Sequence, residues 1–350
     1  MPNGTIALGL RTVMAPAAAA ALLVAAPGVA TAQDAASYFK GKTITVTVGF
    51  ASGGGYGNYC QQLVAHWDRH TPGKPNFICQ FMPGGGGVKA ANYMYAAAPK
   101  DGSMLSMLSD YGAVAQLIQP EKVRYDLRKF KWVGVMVPAN PALLVRKGAK
   151  VQKFEDMYTN ELVVGLVGVL AQDGINSRIM NAILGTKIKG VAGYTGTRPI
   201  QLAMERGEVD ASISSWISWK TRAVQQIKDG QFIPVAQIGF KKTWDLPNVP
   251  LVREQAKNEA DRQVIDIASA SAPFGRSVTV PPGYPAHLLA ALRASFNATM
   301  KDKEFLATAK KRNIEIDPSP GEEVEPILQQ VLATPPSVVD RFRKAAGMTK

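Results

Sequence analysis

The chain has 350 residues, 46% hydrophobic and 19% charged, a balance that excludes a disordered or collagen-like protein and suggests about two domains. Forty Lys and Arg against 27 Asp and Glu give a formal charge of +13, which first suggests nucleic acid, an anionic membrane surface or an acidic ligand. Three His and two Cys speak against a multi-ligand zinc protein, because one structural zinc site takes four such residues.

Residues 1–32 carry a single charged side chain, Arg11, followed by an apolar, Ala-rich run that ends in Ala30-Thr31-Ala32. A basic start, an apolar middle and a small-residue end predict a secretory signal cleaved after Ala32. The alternative is an uncleaved anchor, for which Pro16, Pro27 and the many alanines make a poor span. No later stretch is long and apolar enough to cross a bilayer. The expected product is exported to an oxidising compartment, where Cys60 and Cys79 become a candidate disulfide. Two buried free thiols remain the other reading.

From Gln33 onward the pattern is strand, loop, helix. Thr43–Gly49 is a β-branched strand, Asn58–His70 a helix, Phe77–Met82 a strand, Val88–Ala97 a helix and Ser103–Leu108 a strand. Trp132–Val137 is a further strand. Pro138 and Pro141 break it and Leu143–Val145 resumes it, as at a crossing between domains. The rhythm then restarts with strands at Leu162–Val169, Lys187–Val191, Val209–Ile213 and Phe232–Ile238, and helices at Gly174–Leu184 and Pro199–Arg206. Asp266–Pro273 and Arg276–Val280 read as the return crossing. Proline-led helices follow at Ala286–Met300, Glu322–Ala333 and Ser337–Ala346. These elements predict an α/β protein of two lobes. Residues 33–138 and 273–350 form the first, and 139–272 form an inserted second, with a ligand cleft where carboxyl-edge loops meet.

Two glycine loops carry the chemistry. Gly53-Gly54-Gly55-Tyr56-Gly57 and Pro83–Gly87 each join a strand to a helix, where backbone N–H groups and the helix dipole attract an anion. Asn58 breaks a dinucleotide fingerprint in the first, and Val88 separates Lys89 from the glycines of the second, so neither is a known nucleotide loop. His66 and His70 stand four apart without a third metal ligand. Ser52, Ser109 and Ser215 lack an elbow or a recognisable triad, so no enzyme is expected. The basic groups Lys122–Lys131, Lys301–Arg312 and Arg341–Lys344 contain or adjoin acids and lack interleaved aromatics, which reads as solvated surface rather than a nucleic-acid platform.

Over residues 38–346 the chain resembles the extracytoplasmic solute receptors of tripartite tricarboxylate transporters, the Bug receptors. The matching stretches include Phe39-Lys-Gly-Lys-Thr-Ile-Thr, Gly53-Gly-Gly-Tyr56, Met82-Pro-Gly-Gly-Gly-Gly, Ala98-Pro-Lys-Asp-Gly102, Gly193-Tyr-Thr-Gly-Thr, Leu202-Ala-Met-Glu-Arg-Gly-Glu-Val-Asp210 and Asp245-Leu-Pro-Asn-Val-Pro-Leu251. The resemblance implies a type II periplasmic binding protein-like fold that closes on a small organic anion, commonly a carboxylate, and hands it to a membrane permease. It implies no cofactor, no metal, no nucleic acid and a monomer. Gly54, Gly55, Tyr56, Gly57 and Asn58 of one loop, with Gly84 and Gly85 of the other, would grip the carboxylate beside Ser109 and Asp110. The inserted lobe would contribute Asp173 and Asn176, then Tyr194, Thr195 and Gly196, then Ser215 and Trp216.

Two positions depart from the family pattern. Relatives often carry Asp where this chain has Gly57, and a basic residue where it has Asp110. An acid in a closed cleft would disfavour a second anionic group, so Asp110 predicts an amine, hydroxyl or single carboxylate on the ligand, unless it turns toward an Arg or Lys. Tyr194 and Trp216 would cover an apolar ligand body or pack the lobe core. A ligand sensor feeding a signalling protein is the main alternative function, and an enzyme on the same fold the second.

Overall fold

The computed structural model describes Met1 and residues 34–348; the expected signal segment and its cleavage point lie outside the described residues. Among the described residues eleven strands are formed: β1 (Thr43–Val48), β2 (Asn76–Phe81), β3 (Met104–Met107), β4 (Lys131–Val135), β5 (Pro141–Arg146), β6 (Leu162–Leu166), β7 (Ile188–Ala192), β8 (Ala211–Ser215), β9 (Phe232–Gln237), β10 (Ser277–Val280) and β11 (Ser319–Pro320). They make two sheets, ordered β11-β4-β10-β3-β1-β2 and β7-β6-β8-β5-β9. The first takes strands from both ends of the described chain, and the second takes only the middle.

β1 pairs in parallel with β2 and β3, and β6 in parallel with β7 and β8. Parallel neighbours need crossover helices, which bury both faces of a sheet. On one face of the first sheet, Leu63 and Trp67 pack with Phe296 and Phe305; Trp67 stacks on Phe77 at 4.5 Å and donates its indole N–H to Ser295 at 2.9 Å. Cys60 of helix Gly55–Trp67 and Cys79 of β2 are joined by a disulfide with their Cα atoms 6.2 Å apart.

β10 runs antiparallel to both β3 and β4. Arg276–Val280 is therefore part of the first lobe's sheet rather than a crossing. The links between lobes are the segments around Val137 and Gly275, and they bond to each other: Met136 N to Arg276 O at 2.8 Å, Arg276 N to Val137 O at 2.9 Å and Ala139 N to Ala272 O at 2.9 Å. Any side chain at Gly275 would strike the Val137 carbonyl, so this close approach requires glycine.

The return connection forms helix Glu259–Ser269, capped by Asn258, whose side chain accepts the Asp261 N–H at 2.9 Å. It packs against helices Pro336–Ala345 and Gln172–Ile179. One apolar cluster accordingly runs from Met104 and Phe130 of the first lobe through Ile267 and Phe342 to Ile175 and Leu143 of the second. A smaller cluster, with Ile200, Met204, Trp216 and Trp219, fills the other face of the second sheet.

Candidate functional site

Most residues expected to touch ligand lie on a loop or helix start after β1, β2, β3, β6, β7 or β8; Ser215 ends β8, and Asn176 sits within helix Gln172–Ile179. Tyr56, on the first turn of helix Gly55–Trp67, stacks on Phe50 at 4.4 Å and reaches across to the base of the cleft. Its hydroxyl accepts the Asp110 N–H at 2.8 Å and donates to the Gly275 carbonyl at 3.3 Å. Burial, first, and the neighbouring Asp110 carboxylate push the phenol far above its ordinary range, so it stays protonated and keeps this donor role.

Arg276 completes the group and was not among the residues predicted. It is 3% exposed, with Nη1 3.5 Å from Asp110 Oδ2 and Nη2 donating to Ser215 Oγ of the second lobe at 3.3 Å. Its guanidinium lies over the Tyr56 ring at 4.1 Å. Burial raises the Asp110 carboxyl above its ordinary value, and Arg276, the next cause in size, lowers it. The expectation that Asp110 repels a second anionic group rests on an uncompensated acid, and with Arg276 alongside the pair carries no net charge. A sequence signal existed: Arg276 is the single charge in the apolar stretch Ile267–Val280.

The second glycine loop packs on the end of β1, where a Cβ at Gly49 would stand 3.0 Å from Gly87 Cα. Gly84, Gly85, Gly86 and Gly87 all have positive φ, from 57° to 148°, a run that only glycine adopts without strain. A Cβ at Gly87 would stand 2.9 Å from the Ser109 Cβ, so Ser109 and this loop are brought together. Gly57 faces the Ser52 carbonyl too closely for any side chain, which accounts for the missing Asp. Gly54 is exposed, and Asn58 is half-buried with its N–H donating to Gly54 O at 3.0 Å. The N-caps Gly54, Gly87, Ala171, Gly196 and Ser215 supply no side-chain acceptor to the helices that start there. Helices led by Pro285, Pro320 and Pro335 also lack one, but the first five, like helix Gly112–Ile118 with Tyr111 before it, start at the carboxyl edges of parallel strands.

In the second lobe, Asp173 turns onto its own loop, accepting from Val167 N at 2.6 Å and Gly174 N at 2.9 Å. Asn176 is 1% exposed and its amide has no partner among the described residues. The Tyr194 ring lies against Gly165 of β6, Thr195 is exposed, and Gly196 begins helix Thr197–Glu205. Ser215 donates to Ser218 at 2.7 Å, and Gly55 approaches Ser218 and Arg276 from the first lobe. Trp216 packs in the second lobe's core, 5% exposed with its indole N–H donating to Asp245 at 2.9 Å, and it also lines the cavity described next.

A cavity of about 990 Å³ lies elsewhere between the lobes, lined by both linkers and by Trp244, Glu315, Asp317, Glu323 and Val331, among others. None of the glycine-loop residues line it. Its charged rim holds Asp266, Glu315, Asp317 and Glu323 against Lys241 and Lys242, which makes it a poor host for an anion.

No family model and no curated protein matches the sequence. Solved structures do match in three dimensions. A TctC solute binding protein from Polaromonas, without ligand, superposes with TM-score 0.63 at 16% identity, covering 86% of this chain and 98% of that one. A protein of R. palustris solved with adipate gives 0.64 at 19% identity, covering 87% and 97%. MatC from Rhodopseudomonas palustris with bound malate gives 0.62 at 20%, covering 87% and 99%. The fold is that of the two-lobed, type II periplasmic binding proteins.

Proposed function

We propose that this chain is an exported solute receptor that captures a small organic carboxylate between its lobes and delivers it to a membrane permease of the tripartite tricarboxylate type. The observation that carries the reading is Arg276: a buried cation that touches Asp110 and Tyr56 of one lobe and Ser215 of the other, beside helix starts left without side-chain caps. Closing the lobes around an acid there joins three things: backbone donors, a guanidinium held between lobes, and exclusion of water that strengthens both. The adipate and malate held by structurally similar proteins support the ligand class.

The chemistry present supports binding rather than catalysis. Ser215 donates to Ser218 and accepts from Arg276, and no histidine among the described residues stands beside either serine to take a proton. A thermal-shift screen of organic acids tests the reading, since a ligand that binds only the folded state raises its melting temperature. Carboxylates are expected to raise it and their methyl esters are not. A screen in which only amines or sugars stabilise the protein contradicts it, and turnover of a bound acid replaces it with the enzyme alternative.

A further inference from the structure

We propose that the cavity of about 990 Å³ between the lobes is a second ligand site, suited to an apolar amine and separate from the acid site at the glycine loops. Its volume is at the upper end of the range for small-molecule sites, about 300–1,000 Å³. Phe240 and Ile267 of the second lobe, with Val324, Ile327, Val331 and Val338 of the first, give it apolar walls. An occupant therefore touches both lobes at once.

Aromatic faces and acids select the charge of that occupant. Trp216 and Trp244 both line the cavity, and Trp244 is 74% exposed, unusual for a side chain that is mostly buried in folded proteins. The chain itself shows what these rings hold. The Lys220 ammonium lies 5.6 Å from the centre of each indole, with Asp245 and Glu315 as its acids. An ammonium over an indole face is attracted by the ring quadrupole, more strongly where water is excluded. Trp244 bonds to Glu315, two residues from Asp317, so the exposed indole and that rim acid belong to one corner of the cavity.

The rim has acid to spare. Of its charges, Asp266 is paired with Arg253 at 2.8 Å and Glu315 with Lys220, while Lys242 lies 3.8 Å from Glu254. Asp317, Glu323 and Lys241 have no ion-pair partner among the described residues, which leaves two acids against one base, all three exposed. On a chain with a formal charge of +13, an acidic excess at a cavity mouth runs against the average. It draws a cation and disfavours an anion. An amine with an aromatic or aliphatic body fits this division. The body lies on the apolar walls and indoles, and the ammonium stays at the acidic rim.

Calorimetric titration of the whole protein with phenethylamine and phenethyl alcohol, alike in ring and chain, tests this at neutral pH and fixed ionic strength. The amine is expected to bind about tenfold or more tighter than the alcohol, a difference of about 1.4 kcal/mol. Asp317→Asn combined with Glu323→Gln, both on exposed side chains, should bring the amine down to the alcohol's affinity and leave the alcohol within about twofold. Gln330→Trp, at an exposed position of helix Gly321–Leu332 that lines the cavity, should weaken both probes about tenfold by filling the space. Saturating adipate should leave the amine bound. Equal affinities for amine and alcohol in the wild type, or no binding of the amine at millimolar concentration, overturn the proposal. Amine affinity that survives in both variants places the amine elsewhere and also overturns it. So does adipate that displaces the amine in proportion to its own concentration, since both would then share one cleft. If the amine behaves as expected and no acid binds, this site stands and the acid-receptor reading falls alone.

Discussion

Arg276 and Asp110 show how much one pairing decides. Either alone, buried at the lobe junction, is an uncompensated charge; together they offset one another in part and leave no net charge at the base of the cleft. Arg276→Gln is expected to destabilise the protein by about 3 kcal/mol or more in urea unfolding, because it strands the Asp110 carboxylate and removes the group stacked on Tyr56. Adding Asp110→Asn to that variant should recover part of the loss. A double variant no more stable than the single one would mean that the pair is not what the guanidinium stabilises. Asp110 was visible in the sequence as an unusual acid; its partner was not, because β10 returns from the far end of the chain to lie beside β3.

Elements were more legible than contacts. The strands and glycine loops of both lobes fall within a few residues of their expected places, since alternating β-branched runs and Gly or Pro breaks are local signals. Helices Gly112–Ile118, Trp216–Arg222 and Lys303–Lys311 were not legible. The last looks in sequence like a solvated basic run, yet Phe305 and Ala309 are buried on its inner face. Its cap makes a pH test. Asp302 accepts the Phe305 N–H at 2.8 Å and pairs with His70 at 2.9 Å, and these bonds lower its carboxyl from 3.8 to about 2. A depressed acid stabilises the fold above its unfolded pKa, and that contribution is lost as the pH falls through the folded value. Asp302→Ala should therefore cost about 1 kcal/mol at pH 7. Its deficit against the wild type should shrink between pH 3.8 and about 2. A deficit unchanged across that window would assign the loss to something other than the ionised cap.

At the scale of the molecule, the two lobes touch on the side of the cavity of about 990 Å³ as well. Lys220 of the second lobe pairs with Asp245 at 2.7 Å and with Glu315 of the first, while Trp244 donates to Glu315 at 2.9 Å. Opening the cleft must break the two bonds to Glu315, whereas the apolar cluster through Ile267 and Phe342 holds the lobes together behind it. Glu315→Gln should shift the unliganded protein toward an open form, read as a larger radius of gyration in X-ray scattering, and a saturating acid ligand should return it to the wild-type value. Identical scattering of the two proteins without ligand would remove Glu315 from the closure.

The sequence by itself determined the α/β pattern, the two glycine loops and the basic balance, because each is written in neighbouring residues and in backbone preferences that act locally. It also brought Cys60 and Cys79 into question as a pair, without settling whether they bond. What only the tertiary structure decided is which charges meet. Arg276 neutralises Asp110, Asp173 serves its own loop, Trp216 belongs to the core, and Arg222 is left facing hydroxyls with no acid beside it. Charge compensation depends on distances of a few ångströms between residues far apart in the chain, and those distances exist only once the sheets have formed.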